Sequence, residues 1–303
     1  MTEKHTGRLA RLGRRALVTT AILVAPVATL GLASPALAKE NHPKGEYAQF
    51  AECPLGNSKT QDCVYAKTES GKFIVGNQAV PIEKTITLQG GFYEEGETLH
   101  FLGAENGNTI SKTPQNVPGG LLDFVNCKEI SNFIERIACE LFFETGPTAV
   151  TATTELAGSA TTIGINVENL LEGTGTALQL PIKVHLENTF LGSSCYIGSN
   201  SAPVVIPFTT GTTSPPKPNE PITGKPGHVS FNEAFTIVTV KENELVNNSF
   251  AAPGAEGCGG IWSFLIDPIL DAKLGLPAAA GHNTARLAGY LQTANAKAVK
   301  ASE

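Results

Sequence analysis

The sequence predicts a mainly β fold, an antiparallel β-sandwich-like domain carrying one or two short helices and stapled by disulfides. Three observations predict it. Leu178–Glu187 alternates strictly, with Leu178, Leu180, Ile182, Val184 and Leu186 on one side and Gln179, Lys183, His185 and Glu187 on the other. That two-residue period marks a sheet with one buried face. The chain carries 31 glycines and 19 prolines with only 17% charged residues, a composition of short strands and turns and not of a helical bundle. All six cysteines (Cys53, Cys63, Cys127, Cys139, Cys195 and Cys258) lie beyond an N-terminal export signal. An even set in an exported chain reads as a disulfide framework.

Residues 1–38 have the three parts of a secretory signal. Arg8, Arg11, Arg14 and Arg15 form the basic start, residues 16–32 are uncharged, and Ala36-Leu37-Ala38 offers the cleavage site. The apolar stretch is short for a span of ~20 residues, and Pro26 and Gly31 interrupt it. Arg14-Arg15 also fits a twin-arginine signal loosely. Cleavage after Ala38 removes five of the 22 basic residues and one of the 28 acidic ones, so the mature chain stands at 17 against 27, a net charge of −10. Nucleic acid needs clustered cations, and none are clustered here, which excludes it as a partner; anionic membranes are repelled for the same reason. The expectation is a secreted or loosely surface-associated protein with no membrane span in its mature part. Residues 39–303 are expected to form one domain.

Along that domain, residues 39–49 are a polar lead-in. Short extended runs follow at residues 63–68, 72–75 and 84–88, with turn chemistry at Glu69-Ser70-Gly71, Gly76-Asn77 and Gly90-Gly91. They predict a small meander of hairpins, and Glu94, Glu95 and Glu97 predict a solvated loop beyond it. Ile130, Phe133, Ile134, Ile137, Leu141 and Phe142 recur at helical spacing, and Asn132 with Glu135 resembles a capping box, so a helix is expected over residues 132–144. An unbroken helix from Cys127 to Cys139 would hold the two about 18 Å apart, beyond the ~7 Å a disulfide spans; a start at Asn132 lets Cys127 fold back. Pro181, on the outward row of the clearest strand, suggests an edge strand or a bulge. Further runs lie at residues 202–210, 234–241 and 244–248. Residues 284–299 fit a helix or a strand, with strand preferred. Between Cys195 and Cys258, residues 214–227 carry five prolines and predict a surface excursion of the same domain.

Six cysteines allow fifteen pairings. Nearest neighbours give Cys53–Cys63, Cys127–Cys139 and Cys195–Cys258, the last closing the longest loop. No C-x-x-C pair supports zinc, and no cofactor is expected. The histidines after the signal (His42, His100, His185, His228 and His282) show no H-x-H or H-E-x-x-H spacing. His185 stands out on the outward row with Lys183 and Glu187, where a solvated strand residue is the simplest reading. Ser193-Ser194-Cys195 is not a nucleophile elbow. Residues 254–260 lack the Gly-Lys-Ser/Thr ending of a phosphate loop and read as tight backbone around Cys258. Sparse aromatics make a wide stacking platform for sugars unexpected. Trp262, Phe264, Leu265, Ile266, Ile269 and Leu270 form a dense apolar segment, expected to be core, with an exposed groove as the alternative.

Several phrases together resemble exported actinobacterial proteins with six cysteines and no assigned activity: residues 190–199 (FLGSSCYIGS), 213–218 (TSPPKP) and 252–260 (APGAEGCGG), with Cys53-Pro54, Cys63-Val64-Tyr65-Ala66 and Leu88-Gln89-Gly90-Gly91. The resemblance implies secretion and a disulfide-bonded fold, and no catalytic, cofactor or metal residue. The function expected is that of a non-enzymatic extracellular or cell-envelope protein that binds or structures something outside the cell. The alternatives are a secreted hydrolase with a site assembled from distant residues and a β-cavity carrier of an apolar ligand. A hydrolase requires a histidine within ~3 Å of a carboxylate, a carrier an apolar cavity of ~300 Å³ or more.

Overall fold

A computed structural model describes residues 41–96, 98–120, 131–139 and 148–303 of the chain. Residues 38–303 group as one compact unit. Fourteen strands among the described residues form two antiparallel seven-stranded sheets. The first runs β11 (His228–Phe231), β12 (Ile237–Asn247), β14 (Thr284–Asn295), β1 (Asp62–Val75), β3 (Ile86–Glu95) and β4 (Thr98–Gly103), with β2 (Gln78–Pro81) also on β1. In the second, β8 (Leu178–Glu187) is the hub. It pairs with β6 (Val150–Leu156), β7 (Gly164–Ile165), β9 (Tyr196–Ile197) and β10 (Val204–Phe208), while β5 (Gln115–Val117) extends from β6 and β13 (Ala255–Glu256) from β9. Val64, Phe101 and Leu287 of the first sheet pack with Leu180, Ile182 and Ile206 of the second in one buried cluster, so the core lies between the layers. Burying these side chains is the main force holding the two sheets together.

The predicted strand at residues 178–187 forms over those residues, and Leu178, Leu180, Ile182 and Leu186 are buried. Pro181 is not on an edge. Its carbonyl accepts from the Ala157 N–H, and in a strand the N–H and C=O of one residue point the same way. The missing N–H therefore faces the gap between β7, which ends its pairing at Gln179, and β6, which begins at Ile182. A central strand tolerates proline there because no partner waits for the donor.

The expected meander is corrected at two of its three turns. Gly76-Asn77 is a two-residue hairpin loop, with Val75 opposite Gln78. Glu69-Ser70-Gly71 is not a turn: β1 runs through it, absorbing one extra residue as a bulge between Thr68 and Ser70. Gly71 has φ 139°, and a Cβ there would stand 2.0 Å from the Arg286 carbonyl oxygen. Gly90 and Gly91 lie inside β3, where a Cβ on Gly90 would meet the Leu102 carbonyl oxygen at 2.3 Å. These glycines allow close strand approach, which turn chemistry alone does not distinguish from a reversal. Glu94 and Glu95 end β3, exposed, and Glu97 lies outside the described residues.

The runs at residues 234–241 and 244–248 merge into β12, again through a bulge, between Val240 and Asn243. The chain end is strand β14, then helix α4 (Ala296–Ala301), capped by Asn295, whose Oδ1 accepts from the Lys297 N–H. Helix α1 (Phe133–Cys139) starts where Asn132 predicts, with the Ile134 N–H donating to Asn132 Oδ1 at 3.0 Å. Its continuation to residue 144 and the Cys127–Cys139 pairing fall outside the described residues. Two further short helices, α2 (Val167–Glu172) and α3 (Ser263–Leu274), complete the fold. No helix among the described residues is long and apolar enough to cross a membrane.

Disulfides join Cys53 to Cys63 and Cys195 to Cys258. The proline-rich stretch at residues 214–227 is pinned, not loose. Asn219 Nδ2 donates to the carbonyls of Asn248 and Asn283, both at 2.9 Å, and Asn248 Nδ2 donates back to that of Glu220 at 2.8 Å.

Asp62 opens β1 half-buried, and burial holds its carboxyl above the ordinary 3.8. A folded state that binds this proton more tightly than the unfolded chain is most favoured below that value and loses stability as pH rises through the folded pKa. Asp62→Asn is therefore expected to raise stability at pH 7, by less than about 1 kcal/mol because the group still meets solvent, and to change little at about pH 3. Thermal melts at the two pH values check this; an equal shift at both contradicts it.

Candidate binding surfaces

Four regions are candidates: the histidine row on β8, the space between the sheets, the segment around Trp262 and a groove on the first sheet. The row is built by cross-strand neighbours. His185 lies opposite Thr153 of β6 on one side and Tyr196 of β9 on the other. Its ring stacks on Tyr196 with centroids 4.6 Å apart, and Lys183 Nζ sits 4.6 Å from the same ring centroid. Lys183 reaches Glu155 at 3.6 Å, while Thr151 and Thr153 donate their hydroxyls to Glu187 Oε2 at 3.3 and 3.2 Å. Burial first, then the charges of Glu155 and Glu187, lift the Tyr196 phenol above its ordinary range.

His185 is therefore not the solvated strand residue its alternation predicts. Its side chain is only 15% exposed, and its Nε2 is buried without a hydrogen-bond partner among the described residues. The residue opposite on β9 is aromatic, and the stack covers the imidazole. Its Nδ1 stands 4.0 Å from Glu187, and His228 Nε2 stands 3.9 Å from Glu242. Both distances exceed a hydrogen bond, so neither pair has the geometry of an oriented general base. The row is a packed electrostatic network that braces β6, β8 and β9.

Between the sheets, Phe73, Val80, Ile82, Ile182, Ile206 and Phe250 help to line an apolar cavity of about 90 Å³. That is well below the ~300 Å³ of an ordinary small-molecule site. The inner side of α3, at Leu270 and Leu274, forms part of its wall.

The outer side of α3 overturns the expectation that this segment is core. Leu270 is buried and Ile266 packs on the core, but Ile261 is 87% exposed, Trp262 57%, Phe264 67%, Leu265 50% and Ile269 64%. The cause is which residues turn inward. Asp267 accepts from the N–H groups of Gly257 and Cys258 at 3.1 and 2.8 Å, and Asp271 from that of Ala255 at 2.7 Å. The two acids of the helix anchor the loop that carries Cys258, so Leu265 and Ile269, on the opposite side of the helix, face solvent, as does Phe264 in its first turn. Composition reads such a run as interior; only the partners of Asp267 and Asp271 show it inverted. A fourth region, a polar groove of about 640 Å³ on the first sheet, gave no sequence signal, because strands on both sides of β14 must bulge together to open it.

No protein-family model, curated protein or solved structure matches this chain.

Proposed function

We propose that this is an exported protein that acts by binding, not by catalysis, and that it attaches to an uncharged apolar layer of the cell envelope through the outer side of α3. One observation carries the reading: Ile261 and Trp262 just before α3 and Phe264, Leu265 and Ile269 on it face solvent, while the acids of the helix are engaged inward. Exposed apolar residues are ordinary when scattered, but a contiguous set marks an interaction surface. Tryptophan beside phenylalanine and leucine suits the boundary between water and acyl chains. The segment from Gly259 to Ile269 contains no cation, and the mature chain is expected to carry −10, so acyl chains under a zwitterionic headgroup fit better than an anionic surface. Two disulfides are compatible with life outside the cytoplasm.

The chain has a single tryptophan, so its fluorescence reports on this surface alone. Phosphatidylcholine vesicles are expected to shift Trp262 emission to the blue and to sediment the protein, with weaker binding to phosphatidylglycerol vesicles. The triple change Phe264→Ser, Leu265→Ser and Ile269→Ser is expected to weaken binding at least about tenfold while leaving the melting temperature nearly unchanged, since all three side chains are exposed. Unshifted emission with both lipids contradicts the reading. A blue shift that appears with protein concentration alone, alongside a dimer in sedimentation, assigns the face to a second copy.

A further inference from the structure

The first sheet is irregular at one level across three adjacent strands. Beside Gly289 of β14, β1 carries its extra residue at Glu69 and β12 carries one between Val240 and Asn243. Glu242, inside the second bulge, holds φ 55°, a left-handed conformation that disfavours any residue with a Cβ. Bulges and such strained residues bend strands and re-aim side chains, and they gather where a surface is shaped for contact. Here they open the groove of about 640 Å³, a volume within the range of ordinary ligand sites.

We infer that this groove binds a neutral carbohydrate. Its lining carries amides and hydroxyls from Gln49, Ser70, Tyr290 and Gln292, whose Nε2 donates to the buried Thr239 Oγ1 at 2.9 Å, and from the buried Asn243. Such groups both donate and accept, as sugar hydroxyls do. The charges cancel to within one unit. Lys225 and Lys241 stand against Glu69, Glu242 and Glu244, while Lys67 pairs with Glu69 at 2.9 Å and Arg286 bonds Glu244 at 2.6 Å. A groove so balanced attracts neither a polyanion nor a polycation, which leaves an uncharged polar ligand. Tyr290 adds one aromatic ring among the polar groups, matching a sugar ring that carries hydroxyls on its rim and C–H bonds on its faces. This is a narrow site built on a single tyrosine, not a wide aromatic platform.

The site lies on the first sheet, apart from α3, so its test is independent of attachment through Trp262. Saturation-transfer NMR of the secreted chain against a panel of neutral hexasaccharides (glucans of α- and β-linkage, a mannan and a galactan fragment) at millimolar concentration is expected to show binding of at least one. Gln292→Ala and Tyr290→Ala are expected to weaken it at least tenfold, whereas Leu265→Ser leaves it unchanged. Glu242→Gly separates a ligand role from a structural one: it is expected to raise the melting temperature by relieving the left-handed strain and yet to weaken the sugar. Absence of binding across the panel overturns the inference. So does equal affinity in Gln292→Ala and Glu242→Gly, or tighter binding of an oligogalacturonate or an oligolysine than of any neutral sugar.

Discussion

Replacing both Cys195 and Cys258 by alanine is expected to destabilise the protein by roughly 4 kcal/mol, against under ~3 for the Cys53/Cys63 pair. The difference comes from loop length. The first pair closes a separation of 63 residues and the second only 10, and a cross-link removes more freedom from the unfolded chain as its loop grows. For a domain of this size the larger loss corresponds to a drop of about 8–16 °C in Tm. The long-range bond also has a local task. Cys258 lies just after β13, whose pairing with β9 is two residues long, and its N–H is held by Asp267. Without the disulfide, α3 is left with that short pairing, its inward acids and the packing of Ile266, Leu270 and Leu274 on the core. Calorimetry of the two double variants decides the matter. A larger loss for the Cys53/Cys63 variant would refute the loop-length argument.

Gly289→Ala is expected to cost about 3 kcal/mol or more, although alanine is the smallest possible addition. A Cβ at this position would lie 1.8 Å from the carbonyl oxygen of Lys67 and 2.9 Å from its carbonyl carbon. Those are backbone atoms, so no rotamer change relieves the clash; β1 and β14 must separate. They form the centre of the first sheet, with β12 on the far side of β14 opposite the same glycine. Gly107→Ala is the control. It also lies outside a helix, with φ 82°, but nothing stands within 4 Å of its Cβ position, so only the conformational strain of about 1 kcal/mol is expected. Urea unfolding of both variants measures the difference. Equal losses would show that the crowding at Gly289 contributes nothing.

The parts of the fold legible in the sequence are those whose cause is local. The strand at β8 announces itself because every second side chain must enter the core. The start of α1 at Asn132 is legible because a side-chain oxygen has to satisfy the first N–H groups. Nearest-neighbour pairing also matched both disulfides formed among the described residues. Local pattern is ambiguous where a residue type serves two ends. Ser70-Gly71 and Gly90-Gly91 have the chemistry of turns, yet they sit within β1 and β3, where Gly71, Gly90 and Gly91 meet neighbouring backbone too close for a side chain. Pro181 reads as an edge residue and lies in the most connected strand, since the gap in its neighbour is invisible from position 181 itself.

The candidate surfaces were harder to see. The apolar run from Ile261 to Leu270 is evident in the sequence, but its direction depends on Asp267 and Asp271, whose partners at residues 255–258 are set by the Cys195–Cys258 bond. His185 is visible as an outward residue, while its burial depends on an aromatic residue arriving from β9.

Alternation, caps and the even set of cysteines determined, from the chain alone, a β-rich fold braced by covalent links, because each is a rule about a residue and its immediate neighbours. The side of α3 that meets water and the level at which β1 and β12 bulge together on either side of β14 were decided only in the folded molecule. Both are set by contacts between residues far apart in the chain, and no local pattern encodes where such partners meet.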